Sequence, residues 1–402
     1  MPRPFEGLLV VDATHVLAGP YCGYQLALLG ADTIKIESPD EPDPVRGRGP
    51  VPELNEAGLG LNYLTQNSNK RSLSVDLKSE AGKAIFRRLA RDADVVIENF
   101  RTGAFESLGL GYDAIRELNP RVIYCSITAF GAVGPLATRN GYDPVIQGIS
   151  GMMQVSGTDS QAMPMKSAAP VIDYGVGLTA AFAIAAALFQ RERTGEGQRI
   201  DCAMLDTALV LQGPAAVVAA YEGEKSPLPI ESGTDCYRAK EGYVQLGAYN
   251  FRQGKRLWEA LGNAEFAAYK TWPEVWTNAS RMRAALQEIM ATRTADDWER
   301  FLGEIGVPGG RVRTIEEAVN SEQAQARGLM QRLAPLCDID GIRVPGAAFK
   351  FQHDGPTITS APPRHGEHND EILASIGYDV AAIEALRRDG VIGQRTDSDD
   401  RK

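Results

Sequence analysis

The sequence is poor in the residues that build disulfide frameworks and zinc sites. Its 402 residues include four histidines and five cysteines, and the cysteines are odd in number and far apart. No Cys-x-x-Cys pair occurs, and the histidines lack ligand spacing. These absences exclude a disulfide-stapled domain, predict no metal site and favour reduced thiols in a cytoplasmic protein.

Positive charge is also scarce. The chain has 42 Lys and Arg against 52 Asp and Glu, which gives a net charge of −10. Because a broad nucleic-acid interface needs a concentrated positive field, no nucleic-acid partner is expected. One anionic small ligand held by a local basic cluster stays compatible with this balance.

A secretion signal is lacking, and long apolar runs are few. The start "MPRPFEGLLVVD" has no basic, apolar and small-residue zones, which again predicts a cytoplasmic protein. Residues 174–190 carry no charge, but they are rich in Ala and Gly, and no second run of this kind exists. We interpret this run as a helix buried on all sides in a large core and expect no membrane partner.

The first 130 residues alternate strand and helix patterns, which predicts an α/β fold. Residues 79–93 place Ala81, Ile85 and Leu89 on one helix face. Repeated strand–helix–strand units imply a parallel, doubly wound sheet, and such sheets bind ligands where loops leave the carboxyl ends of strands. The predicted strands are 8–12, 33–37, 72–76, 94–98 and 121–127.

The pattern changes near residue 225, and the length of the chain favours two domains. Residues 236–250 alternate as a β-hairpin. Amphipathic helix patterns follow at 252–262, 281–292 and 294–306. We therefore predict a second, α+β domain that extends to about residue 330.

The dinucleotide fingerprint is absent. G-x-G-x-x-G should follow the first strand, but "LLVVD" is followed by "ATHVLAGPYCG", so a nicotinamide-dependent oxidoreductase loses its main support. Three loops instead combine Asn with Lys or Arg: "NSNKR" (67–71), "ENFRTG" (98–103) and "TRNGYD" (138–143). Backbone N–H groups beside such cations suit a phosphate-bearing ligand.

Asp173 is an isolated acid at the start of the uncharged run. Asp is a favoured N-cap residue, which would explain its position before a helix. A carboxylate at a helix N-terminus is also held ionised by the helix dipole, as a nucleophile must be. From spacing alone, a helix cap and a chemically active carboxylate both stay open.

Several blocks, in order along nearly the whole chain, carry a family resemblance. They are "VVDATHVLAGPYCGYQLALLGADTIKIESP", "NKRSLSVDLKSEAGK", "ADVVIENFRTGAFESLGLGYDAIRELNPRVIYCSITAFGAVGP", "GYDPVIQGISGMM" and "VIDYGVGLTAAFAIAAALFQRERTGEGQRIDCAM". The chain thereby resembles the class III CoA-transferases, which include formyl-CoA and carnitine CoA-transferases and, as relatives, 2-methylacyl-CoA racemases. The resemblance implies a large Rossmann-like domain with a parallel sheet, built from both chain ends (1–215 and 335–402). It further implies a smaller α+β domain (225–330) and an interlocked homodimer.

The resemblance assigns Asp173 to the catalytic aspartate of the family. It implies that Asp173 attacks an acyl-CoA thioester, passes through a mixed anhydride and an aspartyl-CoA thioester, and delivers CoA to a carboxylic acid. Acyl-CoA is then a substrate, and no tightly bound cofactor or metal is required. Backbone N–H groups of Gly175, or of the loop 246–250, are candidate donors to the oxyanion of each tetrahedral stage.

A set of residues is expected to contact CoA because of its position in the resemblance. They are His15, Val16, Leu17, Ala18, Val75, Leu77, Lys78, Asn99, Phe100, Arg101, Arg139 and Tyr142. For His15, a role as a hydrogen-bonded loop histidine stands equally. Ser38 replaces an Arg that many members use for the nucleotide, so Arg46 or Arg48 is expected to take over that contact.

Departures from the family pattern narrow the expected reaction. The racemases have "GHD" where this chain has "GYD" at Tyr142, and they need that His for two-base proton transfer. Leu17 replaces a Gln of formyl-CoA transferases, which favours an acceptor larger than oxalate. We therefore predict transfer from a donor such as succinyl-CoA to a carboxylic acid. Arg252 and Asn250 would suit a dicarboxylate as that acid, and two solvated loop side chains are the alternative interpretation of this pair. A racemase-type proton transfer and a non-catalytic CoA-binding protein are the alternatives.

Overall fold

The computed structural model describes residues 2–155, 163–224 and 232–394. The chain divides into two units, one made of Met1–Tyr221 with Gly328–Lys402 and the other of Glu222–Arg327. The predicted domain limits at residues 225 and 402 lie outside the described residues.

The larger unit is built on a six-stranded sheet in which every neighbouring pair is parallel. The spatial order is β3-β2-β1-β4-β5-β6. Its strands are β1 Leu9–Ala13, β2 Asp32–Glu37, β3 Lys70–Ser74, β4 Val95–Glu98, β5 Ile123–Thr128 and β6 Gln198–Ala203. The predicted α/β fold with a parallel sheet is confirmed. Because β1 lies between β2 and β4, the chain reverses its winding there, and ligands bind at such a switch point.

Helices cover both faces of the sheet because successive strand residues point to opposite sides. Val10 belongs to the apolar cluster on one face and Val11 to the cluster on the other. The helices up to residue 220 are α1 Ala18–Leu28, α2 Pro52–Glu56, α3 Leu61–Leu64, α4 Glu80–Asp92, α5 Ala104–Ser107, α6 Tyr112–Leu118, α7 Asp143–Ile149, α8 Met152–Val155, α9 Val171–Thr194, α10 Met204–Leu211 and α11 Gly213–Ala220.

Helix α9 is only partly buried within this chain, so the expectation of burial on all sides is wrong. Ile172, Val176 and Ala180 pack into the core, but Phe182 and Phe189 are 76% and 61% exposed. The reason is that α1 and the sheet cover one face of the helix and leave the remainder open. Among the described residues, α9 is the single helix whose length and apolarity would also fit a membrane crossing. Helices α10 and α11 expose further apolar side chains, and we call all of these the α9–α11 apolar surface: Leu178, Phe182, Phe189, Leu209, Val210, Leu211, Val217 and Val218.

The smaller unit combines an antiparallel sheet with short helices, and the predicted hairpin is present. Its core contains the buried side chains of Trp258, Leu286 and Trp298. The strands are β7 Cys236–Arg238, β8 Tyr243–Leu246 and β9 Gly309–Arg311. The helices are α12 Phe251–Ala260, α13 Ala264–Ala267, α14 Trp272–Thr277, α15 Ala279–Met290, α16 Ala295–Glu304, α17 Ile315–Val319 and α18 Glu322–Arg327.

The last described segment returns to the larger unit and covers the edge strand β3. It contains the antiparallel pair β10 Met330–Arg332 and β11 Arg343–Pro345, then α19 Asn369–Ser375 and α20 Val380–Arg388. The Ser74 N–H donates to Asn369 Oδ1 at 2.8 Å, and the Asp76 N–H donates to the Val391 carbonyl at 2.8 Å. These bonds satisfy backbone groups that an edge strand would otherwise present to solvent.

Candidate active site

A cavity of about 280 Å³ opens where loops leave the carboxyl ends of β1, β4 and β5. It joins parts of the chain that are far apart in sequence, as expected for a switch point in a parallel sheet. The predicted site residues that line it are His15, Val16, Leu17, Ala18, Asn99, Phe100, Arg101, Arg139, Tyr142 and Asp173.

Three of the residues predicted to contact CoA do not line this cavity. Val75 is fully buried, and its N–H donates to the Glu37 carbonyl at 2.7 Å, so its side chain is closed to a ligand. Leu77 packs at the border of a core cluster, and Lys78 is exposed. Contact of these residues with CoA stays a prediction.

Asp173 is not the cap of helix α9. The helix begins at Val171 after Pro170, so Asp173 is its third residue and makes no capping bond. The carboxylate that satisfies the helix end belongs to Asp143, the first residue of α7. Its Oδ2 accepts from the N–H groups of Ile172 at 2.8 Å and Asp173 at 3.1 Å. The Asp173 side chain is therefore not needed to cap the helix.

Asp143 is a residue of the site that was not predicted from the sequence. It is buried, and its Oδ1 accepts from Gln147 Nε2 at 2.6 Å. The Gln147 Oε1 in turn accepts from the Ser167 N–H at 2.8 Å, so one relay fixes the chain from Ser167 to Asp173. The only signal in the sequence was an acid followed by Pro144 at a helix start in "GYDP".

The expectation that the helix dipole keeps Asp173 ionised is wrong. Burial, and then the nearby charge of Asp143, raise the pKa of Asp173 to about 7. The Asp143 carboxylate already occupies the N–H groups that carry the positive end of the dipole, which leaves Asp173 beside a like charge. Near neutral pH this carboxyl group therefore exchanges readily between its protonated and ionised forms.

His15 forms part of the cavity wall and is held by its backbone. Its N–H donates to Asn99 Oδ1, its carbonyl accepts from Asn99 Nδ2, both at 2.9 Å, and its ring meets the Phe100 ring edge-on. Burial, and then the charge of Lys35, lower the pKa of His15. The Nδ1 atom is buried without a hydrogen-bond partner among the described residues, so one polar atom of the ring is unused.

Val16 is strained at the border of the cavity. Its φ is +70°, a left-handed conformation that costs a β-branched residue about 1–3 kcal/mol. The surroundings impose this conformation. The Val16 N–H donates to both oxygens of buried Asp43 at 3.1 and 3.2 Å, and its carbonyl accepts from Gln66 Nε2 at 2.9 Å. The Lys35 Nζ lies 2.9 Å from Asp43 Oδ2, so a buried ion pair fixes the carboxylate that holds the strained residue.

Arg46 cannot take over the nucleotide contact that the sequence suggested. It is buried, and it pairs with both carboxylate oxygens of Glu37 at 2.7 and 2.6 Å. Its other N–H groups donate to the carbonyls of Gly58 and Pro363 at 3.1 Å and to the Tyr63 hydroxyl at 2.7 Å. Arg48, in contrast, is exposed and stays available to a ligand.

Glu98 is a second acid that the sequence reading passed over. It ends β4 and is buried, and the Phe100 N–H donates to its Oε2 at 2.8 Å. Burial raises the pKa of Glu98 to about 7. The hydrogen bond from Phe100 to Glu98 holds the start of the loop that carries Asn99. The available signal in the sequence was an acid at the carboxyl end of a buried parallel strand.

A second cavity, of about 490 Å³, also reaches Asp173. It shares Val16, Tyr142 and Asp173 with the first cavity and adds two cationic side chains, Arg48 and Lys166. Asp173 is therefore a lining residue of both cavities.

The proposed oxyanion donors are already occupied. Gly175 is the fifth residue of α9, where the N–H bonds to the carbonyl four residues earlier. Each N–H of the loop 246–250 has a partner: Asp235, Pro308 and Gly233 carbonyls for the first three, the Gly247 carbonyl for Tyr249, and Gln253 Oε1 for Asn250. Helix α1 offers an alternative, because its N-terminus has no side-chain cap and Leu17 and Ala18 line the first cavity.

Asn250 and Arg252 lie in the smaller unit, at the start of α12. The Asn250 Oδ1 accepts from the Gln253 N–H at 2.9 Å as part of a capping box, so this side chain has a structural role. Arg252 is exposed and lines none of the cavities described above. Binding of an acceptor by Arg252 stays a prediction.

Comparison with known proteins gives one consistent picture. The sequence profile of CoA-transferase family III matches residues 5–369. The chain is similar to the succinate–glutarate CoA-transferase of Agrobacterium fabrum, with 36% identity over 93% of this chain and 96% of that protein. It is similar to the succinyl-CoA:glutarate CoA-transferase of Mus musculus, with 33% identity over 98% and 91% of the two chains. A crystal structure of a CAIB/BAIF family protein from Brucella suis superposes with a TM-score of 0.78, 32% identity and coverage of 94% of this chain and 100% of that one.

Proposed function

The chain belongs to CoA-transferase family III and is an enzyme that transfers CoA, and on that premise we propose that Asp173 carries CoA from an acyl-CoA donor to a dicarboxylic acid. The observation that carries the proposal is that Asp173 faces two cavities at once. One cavity is lined by most of the residues expected to hold CoA, and the other leaves room for an acid. The names of the similar enzymes favour succinyl-CoA as donor and a dicarboxylate such as glutarate as acceptor.

The proposed reaction begins when an ionised Asp173 oxygen attacks the thioester carbon of the donor. The C–S bond breaks, CoA thiolate leaves, and a mixed anhydride joins Asp173 to the donor acyl group. The thiolate then attacks the aspartyl carbon of the anhydride, which releases the donor acid and leaves Asp173 as a CoA thioester. A carboxylate oxygen of the acceptor attacks that thioester, and the same two steps in reverse order give the new acyl-CoA and free Asp173.

Each tetrahedral stage needs hydrogen-bond donors for its oxyanion, and the chain offers them at helix α1. The first N–H groups of this helix have no capping side chain, and its first residue, Ala18, lines the cavity. Unpaired N–H groups at a helix N-terminus also carry partial positive charge, so they stabilise a developing anion. We assign the oxyanion donors to this turn, in place of Gly175 and the loop 246–250.

The functional assembly in this proposal is a homodimer. The α9–α11 apolar surface contains Phe182 and Phe189, whose side chains stay largely exposed within this chain. Exposed apolar surface of this kind marks an interaction site, and a second copy of the chain would remove it from water. A size measurement by light scattering, in wild type and in a Phe182→Glu variant, tests this part: the variant should yield smaller particles.

The test of the proposed chemistry is to trap acylated Asp173. The protein is incubated with succinyl-CoA in the absence of acceptor, treated with hydroxylamine or borohydride, and mapped by peptide mass. Modification at Asp173 that requires the donor, and that is absent in Asp173→Asn, is the expected result. Its absence in a protein that still binds CoA would refute the proposal in favour of a non-catalytic CoA-binding role.

The racemase alternative is tested by proton exchange. His15 and Asp173 line the same cavity, so the exchange experiment has a definite pair of groups to address. A 2-methylacyl-CoA incubated in D₂O should keep its α-proton if the reaction is CoA transfer. Exchange that depends on both Asp173 and His15 would instead assign two-base proton transfer.

A further inference from the structure

The second cavity at Asp173 has the composition of an anion subsite. Most of the described residues that line it are apolar. Two of them, Arg48 and Lys166, are cationic and exposed. Within the described residues, neither cation forms an ion pair. A cavity with two cationic side chains that form no ion pair favours an anionic ligand.

The two described acids in the same wall, Asp143 and Asp173, form no ion pair with these cations. Both oxygens of Asp143 already accept hydrogen bonds, from Gln147 and from the N–H groups of Ile172 and Asp173. Asp173 itself has a raised pKa of about 7 and is partly protonated at neutral pH. The side-chain donors of Arg48 and Lys166 are therefore left for a ligand.

We propose that this cavity binds the far carboxylate of a dicarboxylic substrate, held by Arg48 and Lys166, while the near carboxylate reacts at Asp173. The inference rests on the proposed function and specifies its substrate class. Arg48 supplies a planar fork that can grip both oxygens of a carboxylate, and Lys166 adds a point charge. The volume of about 490 Å³ far exceeds that of a single water, so the cavity has room for a short diacid.

The lining of the cavity also becomes less negative at the stage at which the acceptor has to bind. Free Asp173 is an anion when it attacks the donor, but the aspartyl-CoA thioester is neutral. Formation of the thioester therefore removes one negative charge from a wall that keeps both cations. A dianionic acceptor is then bound more strongly by the CoA-charged enzyme than by the free enzyme, because a like charge has gone.

The test compares a diacid with an acid that lacks the second charge. Glutarate and its monomethyl ester are used as acceptors, and the specificity ratio is kcat/KM for the diacid divided by kcat/KM for the half-ester. We expect Arg48→Ala and Lys166→Ala each to lower this ratio about tenfold to a hundredfold, the usual loss for one charge-assisted hydrogen bond. Lys166→Arg should recover most of it, whereas Arg48→Lys should recover only part, because Lys keeps the charge but lacks the planar fork.

Two controls separate the possible outcomes. Arg252→Ala removes an exposed arginine of the smaller unit and should leave the ratio unchanged; a fall there with none at Arg48 and Lys166 would move the subsite to Arg252 and overturn the inference. Binding of free CoA, measured by calorimetry, should be unchanged in the Arg48 variant. If that binding weakens while the ratio stays constant, Arg48 contacts the nucleotide and the inference is wrong. Trapping at Asp173 in wild type reports separately on the proposed function.

Discussion

Replacing Asp173 by Asn is expected to abolish CoA transfer and, at the same time, to stabilise the protein at alkaline pH. Burial, and then the charge of Asp143, raise the pKa of Asp173 from its ordinary 3.8 to about 7. The unfolded chain keeps the ordinary value, so between these two values the unfolded state is more ionised than the folded state. Stability therefore falls as the pH rises from 4 through 7, and Asn cannot ionise.

The size of this effect follows from the shift. About three pKa units at about 1.4 kcal/mol per unit give an upper limit of about 4 kcal/mol above pH 8. Asp173 keeps some access to solvent through its two cavities, so we expect about half of this, about 2 kcal/mol. The destabilisation is complete only above the folded pKa, so the gain from Asp173→Asn at pH 5 should be less than half of the gain at pH 8.

Urea unfolding at pH 8 and pH 5, at one fixed protein concentration and without CoA, measures this gain. Asp40→Asn changes an exposed loop carboxylate and should alter the free energy of unfolding by less than about 0.5 kcal/mol at either pH. An Asp173→Asn variant that is no more stable than wild type at pH 8 would refute the electrostatic argument. A gain of equal size at both pH values would refute it as well, because packing and not ionisation would then be the cause.

Three further predictions concern Asp173, Asp143 and Arg46. The rate of acylation by succinyl-CoA should rise with pH through about 7 and then level off, because only ionised Asp173 attacks; a rate that is flat from pH 5 to 9 would contradict this. Asp143→Ala leaves two N–H groups of α9 unpaired, so calorimetry should show that the free energy of unfolding falls by about 2–3 kcal/mol. The same variant removes the like charge beside Asp173, so the midpoint of the pH profile of acylation should move below 7. A midpoint that does not move would show that the charge of Asp143 has no effect on Asp173. Arg46→Ala leaves the buried carboxylate of Glu37 without its partner, so urea unfolding should show a free energy of unfolding that is lower by about 3–5 kcal/mol. Arg48→Ala changes an exposed side chain and should lower it by less than about 0.5 kcal/mol.

The sheet and the first cavity could be predicted because they depend on local patterns and on one geometric rule. The apolar runs 95–97 and 123–127 are buried on both faces of the sheet, so they are recognisable as parallel strands. The carboxyl ends of parallel strands meet at one edge, which brings His15, Asn99 and the loop before α7 together. The family resemblance then assigned a catalytic role to Asp173, because spacing alone did not distinguish a helix cap from a chemically active carboxylate.

The remaining features depend on long-range contacts that no local pattern carries. Asp143 caps a helix that begins 28 positions further along the chain, so the spacing rules for capping residues assign that role to Asp173. Arg46 reads as a loop cation, but Glu37 and the Pro363 carbonyl remove it from the surface. Helix α9 has the composition of a core helix, and only the folded chain reveals that one of its sides is uncovered.

The cover over β3 has a consequence for synthesis of the protein. The Ser74 N–H and the Asn369 side chain that it bonds are 295 positions apart in the chain. At about 5–20 residues per second, a ribosome needs roughly 15–60 s to make that interval, during which the nascent sheet has an open edge. Open strand edges pair with those of other chains, so the emerging protein is exposed to aggregation until its last segment arrives. A chain stopped at Arg327 would keep β3 open permanently, and we expect it to require a chaperone to stay dispersed.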